Sequence, residues 1–252
     1  EISFLGKLQA KFVLNMFDII TVRDEKSYKV LTQYLHVKKP QIYLTADPAL
    51  NLEEKIVEEI NINKPYFVIS ARSVYHRNHN LLPFSVRKKM GLVSKEYYKE
   101  INQFKNDIAL LTETIMAKYG LCAKFLNTYT GAQMSASDDK FTTDIILRIP
   151  DKYQTNIEVL NAVYTPSEIK YILGRSQFII TVPLHPLILG ASENVPVFSL
   201  AYASKNKSFM HQIKRSQNVY KVEKIGDRLD LVRITADIDE VMNNIGTYKN
   251  NL

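Results

Sequence analysis

Along the chain, short apolar runs of strand character alternate with longer segments whose apolar positions recur every three or four residues. Residues 6–15 have the helical spacing, and FDIITVR, ending at Arg23, is a β-branched run of strand type. DEKSYKVLTQYL, 24–35, predicts a helix with Asp24 as its N-cap, since a carboxylate there accepts from the unpaired first-turn amides. A second strand falls in PQIYLTADPAL, ending at Asp47, and LNLEEKIVEEINI predicts a short acidic helix. KPYFVISAR, 64–72, is a third strand, and a domain junction is expected there. The next stretch, SVYHRNHNLLPFSVRKKMGLVS, has no clean period and predicts a long loop.

The second half continues in the same style. SKEYYKEINQFKNDIALLTETIMAKYG predicts a long amphipathic helix ended by Gly120, followed by the strand CAKFLNTY. A polar loop, TGAQMSASDDK, leads into a helix within FTTDIILRIPDKY that breaks at Pro150. NIEVLNAV is strand-like, and TPSEIKYILG opens a helix with Thr165 as cap and Pro166 at the first position. QFIITV is a strand, residues 186–193 a short helix, VPVFSLAY a strand, and ADIDEVMNNIGTYK a last helix.

Strands separated by helices in this way argue for an α/β fold with a Rossmann-like parallel sheet. Such sheets bind ligands outside the carboxyl ends of their strands. Two residues gain weight from that rule. His185 follows QFIITV and precedes the predicted helix, where Pro186 favours the first turn and the free amides form an anion site. Arg72 ends PYFVISAR, where a guanidinium can grip a carboxylate or phosphate with two hydrogen bonds. The alternatives are a histidine that caps a turn and an arginine in a surface or interdomain salt bridge. Together the two residues suggest an anionic substrate.

Composition narrows the classes. At 252 residues and 46% hydrophobic, the chain can form one large domain or two modest ones. The net charge of +7 comes from scattered lysines and arginines, without the basic stripe and interleaved exposed aromatics of a nucleic-acid binder. One cysteine, Cys122, excludes an internal disulfide and any cysteine-based metal cluster. The most apolar stretch, 178–191, is broken by Pro183, His185 and Pro186, so no membrane span is predicted. No secretory signal is visible, and the chain opens without methionine, so residue 1 need not be the biological start.

IITVRDEKSYKVL, then YLTADPAL, KPYFVISAR, and finally the L-H pair Leu184–His185 before a helix and NVPVFSLAYASK, occur in an order that resembles the polysaccharide pyruvyl transferase family. The resemblance implies a two-domain, glycosyltransferase-B-like architecture of paired Rossmann-type domains. On it, residues 1–60 are the end of a first domain whose preceding part lies outside this chain. Residues 61–235 are the second domain, and 236–252 a C-terminal helix that can cross back to the first. The implied activity moves a pyruvyl group from phosphoenolpyruvate to a pair of sugar hydroxyls on a cell-surface glycan or its precursor. The acceptor would be a sugar, a polysaccharide or a lipid-linked glycan. No cofactor or metal is implied beyond the donor, and the expected location is the cytoplasm, with peripheral contact at the inner membrane face. His185 and Arg72 are the implied catalytic pair, with Leu184, Lys205 and Arg23 as substrate-binding positions.

One position departs from the family pattern. Where the family has R-L-H, this chain has Pro183-Leu184-His185, and a proline supplies neither charge nor a donor. A lost donor contact, a substitute cation such as Arg175, Lys205 or Lys207, or a different donor would each account for it. In VRD-x-x-S, Asp24 and Ser27 fall where an N-cap and its first-turn partner sit, which favours a structural role. Asp47 and Pro48 read as turn or packing residues, and Asp138 and Asp139 as a solvated loop within reach of an acceptor. His76 and His79 have an i, i+3 spacing but no third metal ligand nearby. Two other functions stay open: a nucleotide-sugar glycosyltransferase of the same fold, and a non-catalytic relative that binds a sugar or a protein partner.

Overall fold

The structure is a computed structural model that describes residues 3–72, 86, 90–128, 135–160, 163–222 and 227–246. Most of the predicted loop after Arg72, including His76 and His79, lies outside the described residues. The chain divides into two compact units, residues 1–51 and 52–252.

In the first unit, helix α1 (Phe4–Leu14) starts at Ser3, whose hydroxyl accepts from the Gly6 amide. Strands β1 (Ile19–Val22) and β2 (Gln41–Leu44) pair in parallel, joined through α2 (Glu25–Lys29) and a π-helical stretch, Val30–Tyr34. Asp24 is the N-cap of α2 as expected. One carboxylate oxygen accepts from the Ser27 amide and the other from the Ser27 hydroxyl, each at 2.8 Å.

The second unit is built on six parallel strands: β3 (Tyr66–Ser70), β4 (Cys122–Leu126), β5 (Ile157–Leu160), β6 (Ile179–Thr181), β7 (Val197–Ala201) and β8 (Val219–Lys221). They are ordered β5-β4-β3-β6-β7-β8. The helices are α3 (Lys95–Tyr119), α4 (Ser135–Ile146), α5 (Asp151–Gln154), α6 (Pro166–Gly174), α7 (Leu184–Ser192), α8 (Ser204–Gln212) and α9 (Leu231–Asn243). Because both faces of a parallel sheet are covered, every residue of β3, β6 and β7 is buried, and these strands read as continuous rather than alternating apolar runs. One core joins Phe67, Phe178, Ile180 and Phe198 from the sheet to Phe104, Ile108 and Ile115 of α3. Ile234, Ile238 and Val241 of α9 complete it.

Caps explain where the helices begin. Ser94 accepts from the Tyr97 amide at the start of α3, and Gly120 ends that helix with a φ of 65°, a backbone shape that suits glycine. Thr165 and Glu168 form a reciprocal capping box at α6, with Pro166 in the first turn. On α7, a side chain at Gly190 would place its Cβ 2.1 Å from Ile179 Cδ1 and 3.3 Å from Val197 Cγ1. The helix lies that close to β6 and β7. Gly190→Ala is therefore expected to cost about 1–3 kcal/mol through overpacking. Urea titration checks it, and an unchanged midpoint would show that Ile179 simply rotates aside.

Several elements differ from the sequence expectation. LNLEEKIVEEINI forms no helix beyond a 3₁₀ turn at Pro48–Asn51. Glu54 and Glu58 are an i, i+4 like-charge pair that disfavours a helix, and the segment is instead fastened to α6. Arg175 grips Glu54 through two hydrogen bonds, Lys170 Nζ donates to the Leu52 carbonyl at 2.6 Å, and Lys55 Nζ reaches Glu168 at 2.7 Å. The loop expected through Lys140 is already helical from Ser135. Helix α9 starts at Leu231, capped by Asp230, ahead of the predicted 236. Helix α8 and strand β8 carry no pattern that the sequence reading caught.

The contact of Lys55 with Glu168, with the Thr165 amide as a second donor, holds the Glu168 carboxyl down to about 2. A carboxylate whose folded value is depressed contributes stability above its unfolded value, and that contribution is lost as pH falls toward the folded value. The melting-temperature advantage of the wild type over Glu168→Gln should thus narrow as pH falls from about 4.5 toward 2. A gap that stays constant through that window would show that the Lys55 contact does not stabilise the fold.

Candidate active site

The order β5-β4-β3-β6-β7-β8 fixes where a ligand can sit. From β3 the chain moves outward through β4 and β5, then returns to place β6 on the other side of β3. The connections on either side of that point run in opposite directions, and in open α/β sheets the carboxyl ends of two such strands frame the crevice that takes a ligand. Ser70 of β3 pairs with Thr181 of β6, so the residues that follow each strand emerge side by side. Those residues are Ala71 and Arg72 on one strand, and Val182, Pro183, Leu184 and His185 on the other.

Arg72 is half-buried and has an interaction partner in the fold. His185 is exposed, while its neighbours Leu184, Pro186 and Leu187 are all buried. The helix begins earlier than the sequence suggested. Pro183, in extended conformation at φ −63° and ψ 149°, is the N-cap, so His185 belongs to the first turn of α7 rather than preceding it. Proline offers no side-chain oxygen to satisfy the first amides, and Pro186 has no amide of its own. The Leu184 and His185 amides have no acceptor within the helix. Leu184 can thus contribute its backbone amide to a ligand, whereas its side chain, 4% exposed, is part of the core.

A chain of hydrogen bonds holds this edge. Ser70 Oγ donates to the Leu126 carbonyl of β4 at 2.8 Å, and the Val182 amide donates to the Ser70 carbonyl at 2.9 Å. Thr181 Oγ1 donates to the Pro183 carbonyl at 3.1 Å, and Asn206 Nδ2 to the Val182 carbonyl at 2.9 Å. None of Ser70, Thr181 and Asn206 was singled out from the sequence. For Ser70 and Thr181 the only signal was a polar side chain at the end of an apolar run, a feature that turns share.

The other candidates are placed as follows. Lys205 is exposed in the first turn of α8, after β7, with its ammonium 5.7 Å from the centre of the Tyr202 ring. It therefore stands at the carboxyl end of the strand next to β6. Lys207 is in the same helix. Arg175 is not a substitute for the family arginine. It ends α6 ahead of β6, at the amino edge of the sheet, stacked on Tyr171 at 4.2 Å and held by Glu54. Arg23 ends β1 in the first unit and is ion-paired with Asp47. Asp138 and Asp139 lie on α4 rather than in a loop. Asp139 accepts from Asn127 Nδ2 at 2.6 Å, and Thr142 Oγ1 donates to Asn127 Oδ1 at 2.7 Å, so Asp139 anchors the carboxyl end of β4. Among the described residues, no group of three or more His, Cys, Asp or Glu side chains could hold a metal, and no helix is long and apolar enough to cross a membrane.

A parallel sheet with this order and a polar carboxyl edge defines a Rossmann-like, glycosyltransferase-B-like α/β protein, and a solved structure agrees. The chain is similar to Staphylococcus aureus MnaA, solved with UDP, at 13% identity and a TM-score of 0.57, covering 98% of this chain and 56% of that one. It is also similar to a UDP-GlcNAc 2-epimerase of Methanocaldococcus jannaschii at 14% identity and a TM-score of 0.47, covering 91% and 64%. The chain thus spans little more than half the length of MnaA. By sequence, residues 2–204 match the polysaccharide pyruvyl transferase family, and the chain belongs to that family. No curated protein matches it.

Proposed function

We propose that this protein forms part of an enzyme that transfers the pyruvyl group of phosphoenolpyruvate to two hydroxyls of a sugar in a glycan or its precursor. The observation that carries this reading is the adjacency of Arg72 and the His185 turn at the carboxyl ends of β3 and β6. A guanidinium and a pair of free helix amides are suited to a donor that bears both a carboxylate and a phosphate. Arg72 holds one anionic group, and the Leu184 and His185 amides hold the other. With Pro183 in place of the family arginine, Lys205 on the neighbouring strand end is the nearest supplement of charge in the strand order.

The chemistry calls for an acid and a base. The donor's methylene carbon gains a proton and becomes a methyl group, and two sugar oxygens form bonds to the adjacent carbon. The bond from that carbon to the phosphate oxygen breaks. Of the two protons released by the hydroxyls, one balances the methyl group and the other leaves with phosphate. An exposed imidazole at this strand edge can carry such a proton. The site of action is the cytoplasm, where the donor is made, with lipid-linked acceptors met at the inner membrane face.

Phosphate release from phosphoenolpyruvate, measured with the full-length protein against a panel of sugars, tests this reading. Release that depends on both donor and sugar supports it. Absence of release, together with stabilisation by UDP, would favour the nucleotide-sugar reading that the fold of the UDP-bound relative makes available.

A further inference from the structure

Asn206 lies just past the residues that match the family, and nothing in the proposed chemistry uses it. It is wholly buried at the third position of α8. Its Nδ2 donates to the Val182 carbonyl, three residues before His185, while its Oδ1 is buried without a hydrogen-bond partner. An apolar side chain of similar size would avoid that unsatisfied oxygen, so an asparagine here is costly to stability unless its one strong bond does something else.

That bond joins two strand ends. Val182 O is the last carbonyl before the N-cap Pro183, and its own amide is already bound to Ser70 of β3. With Val182 pinned on both sides and Pro183 restricted at φ, the direction in which Leu184 and His185 leave the sheet is determined. Through the same amide, the first turn of α8, with Lys205, is tied beside the first turn of α7. We infer that Asn206 is a positioning residue, one that sets the orientation of His185 and of the Leu184–His185 amides by holding the Val182 carbonyl. This inference rests on the proposed role of His185 as a proton carrier for an anionic donor.

Asn218 supplies the control. It is also buried, at 3% exposure, and its Nδ2 approaches the Val197 carbonyl at 3.5 Å, at the opposite, amino end of β7. The imidazole resonances of His185, assigned by a His185→Gln spectrum, are followed through a pH titration in Asn206→Ala, Asn206→Asp and Asn218→Ala of the full chain. Asn206→Asp keeps the volume but cannot donate when ionised. Both Asn206 variants are expected to move the His185 resonance and its titration midpoint, while Asn218→Ala leaves them in place even where it lowers the melting temperature as much. Phosphoenolpyruvate affinity should fall on the order of tenfold in the Asn206 variants, about what the loss of one net hydrogen bond costs. A His185 resonance that stays put in both Asn206 variants, or moves equally in all three, would overturn the assignment. If the wild type does not bind phosphoenolpyruvate, the proposed function fails, while the resonance comparison still decides the role of Asn206.

Discussion

His185→Ala should lower donor-dependent phosphate release by about 10²–10⁴-fold, the usual loss when a positioned acid or base is removed. The fold should survive, because the imidazole is exposed and the turn that carries it is held by Val182, Leu184 and Leu187 instead. Donor affinity should change only a few-fold, since the amides proposed to hold the phosphate belong to the backbone and remain. A change confined to turnover separates a proton carrier from a binding group. Initial rates and donor titrations on the same preparation check both halves. A turnover equal to that of wild type would leave His185 as a turn residue, the alternative that the sequence already offered.

The largest stability effect should come from Phe178→Ala. The ring is wholly buried, stacks on Phe67 at 5.3 Å and 24°, and meets Phe198 edge-on at 5.8 Å and 86°. It stands at the entry to β6, and its carbonyl accepts from the Val68 amide of β3 at 3.1 Å. Removing it opens a cavity between the two strands that frame the crevice. The expected cost is about 3–5 kcal/mol, against a typical total of roughly 5–15 kcal/mol for a domain. For a unit of this size that corresponds to a fall in melting temperature on the order of 10 °C. Denaturant titration of wild type and variant measures it. A loss below about 1 kcal/mol would show that the neighbouring phenylalanines close over the gap.

The parts of this fold that a sequence reading reaches are those set by local chemistry. Asp24 and Thr165 were caps by residue type and remain so, and Gly120 ended its helix because only a left-handed residue fits there. The apolar runs around Phe67, Ile180 and Phe198 were strands because parallel strands covered on both faces are apolar throughout. His185 and Arg72 could be placed at strand ends for the same reason. That the two ends are neighbours was reachable only through the family resemblance, because it depends on the order of strands separated by more than 100 residues, a long-range pairing that no window of sequence contains. The same limit hid Asn206, whose partner is a backbone carbonyl on another strand. LNLEEKIVEEINI was misread as a short acidic helix because tertiary contacts fasten it in another conformation, Glu54 to Arg175 and the Leu52 carbonyl to Lys170 of α6. Strand β8 has three residues, too few for a period to show.

The central claim is that Arg72 and the His185 turn form one donor site, and calorimetry of phosphoenolpyruvate binding to the full-length wild type and Arg72→Ala tests it most directly. Each hydrogen bond from a guanidinium to an anion contributes about 1.5–3 kcal/mol, so losing the pair should weaken binding on the order of a hundredfold or more. The prediction is saturable binding to wild type and its near disappearance in a folded Arg72→Ala. Equal affinity in the two proteins, or no binding by a folded wild type, would contradict it.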